Sequence, residues 1–594
     1  MAGSLAQSPA LADSRIATGR NTSDHSRRNG MLCALAVAAC VLAADPRANM
    51  PFIDDFSYTK TALDFARTGH FIYNGWAVEI LGWLIPWGAL FIKVFGFSFN
   101  VVRFSMLPID MVTVYLFHQI LLRFGVNPQN AVLGTLTMAL SPLFMPLAAS
   151  YMTDIPGLLV ILLCMYMCQR AVAAKSDRAA LLWLAFAMLL NVAGGTVRQI
   201  AWLGSLIMVP STAWLLRERK GMKLAAVVLF LSSLLGVEAC LYWFNHQPYS
   251  VPEHIFYGPI HSRMLVHLAA QLLKCFLCLL LVVFPVLAAW LFMARRFSLA
   301  SLLRLAGAMV GLVAAGVFLQ LRGNLDGWLM PWLFYILRLE GMSDPTVWDS
   351  TPRILPFAVR CVLSLAVCAS AMIFGHAVAG LSKRILQDWH KAPYWRQSFW
   401  ILGPFSINYA MLLAPRGLYS IIQDRYVLGL VPTTIVLSLL VYQKKSNRFP
   451  VLSLVVLTVF AFFAMGATHD LFAESRALVR TIQMLHSAGV PRNSIMAGLA
   501  SDGWLQVEDG DHINDPRIIV PAGGYNPKIP NLSFNGECLS WITPLTPKIA
   551  PQYFIVISPV PCFAKTKYPA VAYSAWLPPF HRALYIEQRL PHTR

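Results

Sequence analysis

Asp54 and Asp55 stand side by side just after the first apolar run of the chain. Two carboxylates at the mouth of a membrane helix are costly unless they are hydrated, paired or used. A third acid, Asp154, closes the run Tyr151-Met152-Thr153-Asp154 ahead of another apolar stretch, and Arg198, Arg416 and Arg425 fall near the ends of later ones. A carboxylate can take the proton of an attacking hydroxyl. Guanidinium groups bind phosphate through charge-assisted hydrogen bonds. The set therefore suits transfer to a hydroxyl with a phosphate leaving group. A plainer reading stays open. Tyr58, Ala62, Phe65 and Ala66 share one helical face, so Asp54 could simply cap an amphipathic helix. Asp154, followed by Pro156, could do the same, and the arginines could snorkel to the membrane surface.

The elements that must position these residues are membrane helices. Of the 594 residues, 57% are hydrophobic and 13% charged, against about 25% charged in soluble chains. The apolar runs reach about 20 residues, the length that spans a bilayer core. The net charge of +19 gathers at the ends of these runs. That is the pattern of cytoplasmic loops, not of a nucleic-acid surface. Placing the basic clusters at 15–28, 123, 170–178, 217–223, 295–304, 383–396 and 444–448 on one side gives spans near 31–50, 102–122, 129–147, 155–172, 179–197, 199–216, 223–243, 265–293, 299–321, 353–376, 397–414, 421–442 and 449–466. The expectation is an all-α polytopic membrane protein with about thirteen transmembrane helices. Charge parity then keeps residues 77–97, rich in Trp, in the plane of the membrane, within a large first outer loop at 50–101.

Residues 1–30 read as a cytoplasmic tail, 31–467 as the membrane domain, and 468–594 as a small α/β extracytoplasmic domain. The last of these has a helix at 471–488 and strands near 494–499, 553–558 and 582–587. Its two cysteines, Cys538 and Cys562, are expected to form a disulfide in an oxidising compartment, with two free thiols as the alternative. Nine other cysteines lie in or beside apolar segments and read as packing residues. No metal-ligand motif is present in the sequence.

The run Asp54-Asp55-Phe56-Ser57-Tyr58, then Ala62, then Thr68-Gly69-His70-Phe71 resembles the first-loop signature of the GT-C membrane glycosyltransferases. The similarity is to the branch of protein O-mannosyltransferases and aminoarabinose transferases. Ser141-Pro142-Leu143-Phe144 leading to Asp154, Thr196-Val197-Arg198-Gln199, and Asp424-Arg425-Tyr426 before Leu430-Val431-Pro432 resemble further segments of that family, in the same order. Asp55 replaces the usual Glu of the acid pair. Gly82-Trp83-Leu84-Ile85-Pro86-Trp87 stands where relatives carry a basic Pro-Pro-Leu motif.

The resemblance implies a polyprenyl-phosphate sugar donor in the bilayer, a glycan, lipid or protein acceptor, no cofactor, and an inverting reaction on the extracytoplasmic side of the inner membrane. It also implies Asp54 (or Asp55) as base, Asp154 as an orienting acid, and Tyr58, Arg198, Arg416, Arg425 and Tyr426 as substrate-binding residues. A lipid-substrate transporter or flippase and a non-catalytic membrane scaffold are the competing classes.

Overall fold

The long apolar runs form helices, and prolines decide where many of them start. The computed structural model describes residues 10–253, 258–342, 347, 353–387, 393–446, 449–527, 540–560 and 563–589. Cys538 and Cys562 lie outside them, and so does the pairing expected of them. Among the described residues, ten helices are long and apolar enough to cross a membrane, from Ser26–Ala43 to Val451–Ser487.

Several expected spans are broken. Helices restart at Leu107, Pro128, Val209, Phe284 and Val431, each with proline in its first turn. Proline fits there because it lacks only an N–H that has no helical partner. The run at 129–147 is interrupted between the helices Pro128–Ala139 and Phe144–Ala148. The run at 421–442 begins as the 3-10 segment Asp424–Leu430 before the α-helix Val431–Lys445. Such breaks leave irregular backbone near membrane ends, where side chains of a site can converge.

Residues 77–97 contain the helix Leu84–Phe95, of 12 residues. At about 1.5 Å per residue this is about 18 Å, short of the ~30 Å hydrocarbon core. Its tryptophans were expected at headgroup level. Two of them hydrogen-bond protein: Trp83 Nε1 donates to the Gly194 carbonyl at 3.1 Å and Trp87 Nε1 to that of Ser105 at 2.9 Å. These bonds tie the segment to neighbouring helices.

The composition change at 467 falls inside one continuous helix, Val451–Ser487. No proline lies within it, so the membrane helix runs straight into the C-terminal region. There a small mixed sheet forms from β1 (Ile495–Met496), β2 (Tyr553–Val556), β3 (Phe563–Lys565), β4 (Val571–Ser574) and β5 (His581–Arg589), with order β1-β2-β5-β3 and β4 paired to the first residues of β5. β1 and β2 are parallel, and the other pairs are antiparallel.

The sheet is docked on the long helix by Asp470. Its carboxylate accepts from the backbone N–H of Trp576 (2.5 Å) and Leu577 (3.0 Å) and from Arg582 Nη2 (3.3 Å). The helix Leu499–Gly510 packs on the first-loop helix Asp55–Thr68. A Cβ at Gly503 would lie 2.8 Å from the Phe56 ring, so only glycine permits this approach. Ile513 N–H donates to the Asn74 carbonyl, and Tyr249 N–H to that of Ile519. The C-terminal region therefore lies over the loops that carry the acids.

Candidate active site

The helix Asp55–Thr68 begins immediately after Asp54, which occupies the N-cap position. Its side chain makes no capping bond. The carboxylate points instead toward three side chains from remote segments. Oδ1 accepts from Trp76 Nε1 at 3.2 Å. Oδ2 accepts from the Tyr335 hydroxyl at 2.6 Å and from Arg425 Nη2 at 3.1 Å. The simple N-cap reading of Asp54 is thereby overturned.

Asp55 behaves differently. Its Oδ1 accepts from the Phe52 N–H at 2.5 Å and its Oδ2 from the Tyr151 N–H at 3.2 Å. It ties the first loop to the turn that leads to Asp154. Burial, opposed by the nearby Arg103 guanidinium and these two N–H groups, pushes its carboxyl up to about 6.

Asp154 is the first residue of the helix Asp154–Ala173, and Thr153 before it makes no side-chain cap either. Arg198 Nη1 lies 3.0 Å from Asp154 Oδ1, and Arg425 Nη1 lies 3.5 Å from Oδ2. Arg198 also donates to Thr153 Oγ1 at 3.1 Å. Gly157 makes this possible, because a Cβ there would meet the Arg198 side chain at 2.8 Å. Arg425 thus bridges both acids from the irregular stretch that opens the helix at 431. Its Nε is held by Gln423 Oε1 at 2.8 Å. Asp54, Asp154 and Arg425 are only 7%, 3% and 8% exposed, so these pairs are scarcely screened by water.

Around this core lies a second ring of groups. The guanidinium carbons of Arg198, Arg416 and Arg425 sit 5.3, 5.2 and 5.5 Å from the centre of the Tyr426 ring, within cation–π range. Arg416 is at the rim, half-exposed and 3.5 Å from Glu253. The Tyr58 hydroxyl donates to Glu79 Oε2 at 3.4 Å. Burial raises the Glu79 carboxyl from its ordinary value, against the pull of Arg198 and Arg425. Two arginines inside the cluster and one at its rim, beside three acids, can accept an anion by exchanging partners, because guanidinium groups form charge-assisted hydrogen bonds with carboxylate and phosphate alike.

Of the residues singled out from sequence, Asp54, Asp154, Arg198, Arg425, Tyr426 and Tyr58 come together. Arg416 joins at the edge, and Asp55 turns to the backbone. Sequence reasoning missed four contributors. Glu79 had a signal, as an acid inside the apolar stretch 77–97. Trp76 adjoined the same stretch. Tyr335 had none. It reaches Asp54 because Asp424 accepts the N–H groups of Ile336 and Leu337, at 3.0 and 2.7 Å from its Oδ2, and so fixes the loop that carries Tyr335. Asp424 itself had been read only as part of a motif.

No protein-family model matches the chain, and no curated protein matches it. Several solved structures are similar. A protein O-mannosyltransferase complex, Pmt1-Pmt2 of S. cerevisiae, bound to its sugar donor, is 16% identical with a TM-score of 0.31, over 37% of this chain and 33% of that one. ArnT of Cupriavidus metallidurans, bound to undecaprenyl phosphate, is 11% identical with a TM-score of 0.38, over 77% and 72% of the two chains. The oligosaccharyltransferase AglB of Archaeoglobus fulgidus, with an inhibitory peptide and a dolichol-phosphate, is 14% identical with a TM-score of 0.39, over 87% and 64%. The chain thus spans about a third of the mannosyltransferase and under two thirds of the oligosaccharyltransferase.

Proposed function

We propose that the chain is a membrane glycosyltransferase that moves a sugar from a polyprenyl-phosphate donor to a hydroxyl of a glycan, lipid or protein acceptor. The reading is carried by one observation: Arg425 binds Asp54 at 3.1 Å and Asp154 at 3.5 Å inside a buried cluster. A general base and a phosphate-binding guanidinium are then in direct contact before any substrate enters. The donor phosphate takes Arg425 and Arg198 as partners, and Asp54 is left to accept the acceptor's proton. The acceptor oxygen attacks the anomeric carbon from the face opposite the phosphate. The bond from that carbon to the phosphate oxygen breaks, and the configuration inverts. The negative charge that develops on the departing polyprenyl phosphate is held by the two guanidiniums, where such stabilisation is most effective. Asp154 keeps Arg198 oriented throughout.

In this reading the site faces the extracytoplasmic side of the inner membrane, residues 1–30 are cytoplasmic, and the C-terminal domain at 468–594 covers the acceptor entrance. The test uses the full chain in lipid nanodiscs with radiolabelled polyprenyl-phosphate sugars and a membrane extract as acceptor source. Consumption of the donor with release of polyprenyl phosphate is expected, and Arg425→Gln should abolish donor binding. A chain that consumes no polyprenyl-phosphate sugar but translocates one across a vesicle membrane would be a flippase instead.

A further inference from the structure

A cavity of about 420 Å³ lies away from the carboxylate cluster, lined by Arg47, Ala48, Asn49, Asn100, Arg476, Val479 and Arg480. It forms where the membrane helix Ser26–Ala43 has just ended and the helix Val451–Ser487 passes by. The rim is rigid. The buried Arg103 side chain donates to the carbonyls of Pro46, Ala48 and Met50, at 3.0, 2.8 and 2.8 Å, and so fixes the path of the loop. Asn100 Oδ1 receives the Ala48 N–H at 3.0 Å.

Three guanidiniums surround the space, and among the described residues a single acid pairs with them. Asp45 pairs with Arg47 at 2.5 Å and with Arg476 at 3.3 Å. Arg480 makes one long bond, to the Ala572 carbonyl at 3.4 Å. The cavity therefore keeps an excess of two positive charges at the end of a membrane helix. A water molecule occupies about 30 Å³, so the space is far larger than a lone ion needs. It falls in the range of pockets that hold small organic ligands, about 300–1,000 Å³.

We propose that this pocket binds the phosphate-bearing headgroup of an anionic membrane lipid. Guanidinium groups bind phosphate oxygens through charge-assisted hydrogen bonds, and the position beside a helix end brings the headgroup into reach without removing its acyl chains from the bilayer. The proposal is independent of the catalytic reading, since none of its residues belongs to the carboxylate cluster.

The test is native mass spectrometry of the full chain released from detergent micelles containing equal phosphatidylglycerol and phosphatidylcholine. The wild-type chain should retain phosphatidylglycerol over phosphatidylcholine by on the order of tenfold. The double variant Arg47→Gln/Arg480→Gln should lose most of that preference while keeping its melting temperature in zwitterionic detergent. Both side chains are exposed, so folding should tolerate the change. Equal retention by wild type and variant would overturn the site. Displacement of the bound lipid by millimolar inorganic phosphate would overturn the lipid assignment and leave free phosphate as the ligand. Retention that survives phosphate supports the headgroup.

Discussion

Asp54 and Asp470 are both buried acids held by an arginine, yet they are wired in opposite ways. Asp470 accepts two backbone N–H groups and Arg582. Its partners cannot leave without unfolding the turn at 576–577, and its task is to dock the sheet. Asp54 accepts only from side chains, those of Trp76, Tyr335 and Arg425. Side chains can change rotamer and exchange one anion for another while the backbone stays in place. Asp55 and Asp424 fall with Asp470, because both bind backbone N–H groups. Asp154 falls with Asp54, because its partners are the guanidiniums of Arg198 and Arg425. The identity of the partner thus separates acids that build the fold from acids available for chemistry.

That distinction can be broken most directly at Asp54. Asp54→Asn keeps the shape and removes the basicity, so turnover should fall by a factor of about 100 or more with an unchanged melting temperature. Full turnover in the variant at normal expression would put Asp54 among the structural acids. Next in size is Arg425→Lys. An ammonium cannot span both carboxylates as the guanidinium does, and turnover should drop by roughly 100-fold, the lower end of the scale for losing one stabilising donor. A variant as active as wild type in a donor-release assay would mean that the bridge to Asp154 is incidental.

Gly157→Ala should cost about tenfold in turnover by pushing Arg198 out of line, in keeping with the sensitivity of catalysis to small misplacements. An additional Arg198→Lys change should then cost little further. Independent, fully multiplicative losses would contradict the steric account.

Asp470→Asn should show the reverse pattern: a loss of stability on the order of 2 kcal/mol, and unchanged turnover per folded molecule. Thermal denaturation followed alongside specific activity separates the two. The last effect concerns Asp55. Its folded-state carboxyl is raised to about 6 from an ordinary value of 3.8, so between these pH values the folded chain holds the proton more tightly than the unfolded one. Stability should therefore decline as pH rises through that window. Asp55→Asn should flatten the dependence, and a wild-type melting temperature that rises from pH 4 to pH 6 in parallel with that of Asp55→Asn would refute the assignment.

Much of this molecule was legible in the chain itself. Hydrophobic run length and the placement of Lys and Arg announced a multi-pass helical membrane protein, because the bilayer leaves few other ways to satisfy a backbone. The acids and arginines of the site stood out because charge beside apolar runs is expensive. The helix Leu84–Phe95 has 12 residues, fewer than a bilayer-spanning helix needs.

Other features were decided by tertiary structure alone. Adjacent carboxylates are equivalent in sequence, and only the fold directs Asp55 to the N–H groups of Phe52 and Tyr151 and Asp54 to Arg425. Tyr335 lies 281 positions from Asp54 and carries no local signal of its role. The continuity of Val451–Ser487 through a change of composition was equally invisible, because composition reports the solvent around a segment and not whether its backbone pauses there. Local physics determines which segments become helices and which residues are costly to bury. Which of those residues meet is set by long-range packing, and here a glycine at 157 and irregular backbone at 424–430 bring two acids and two arginines together.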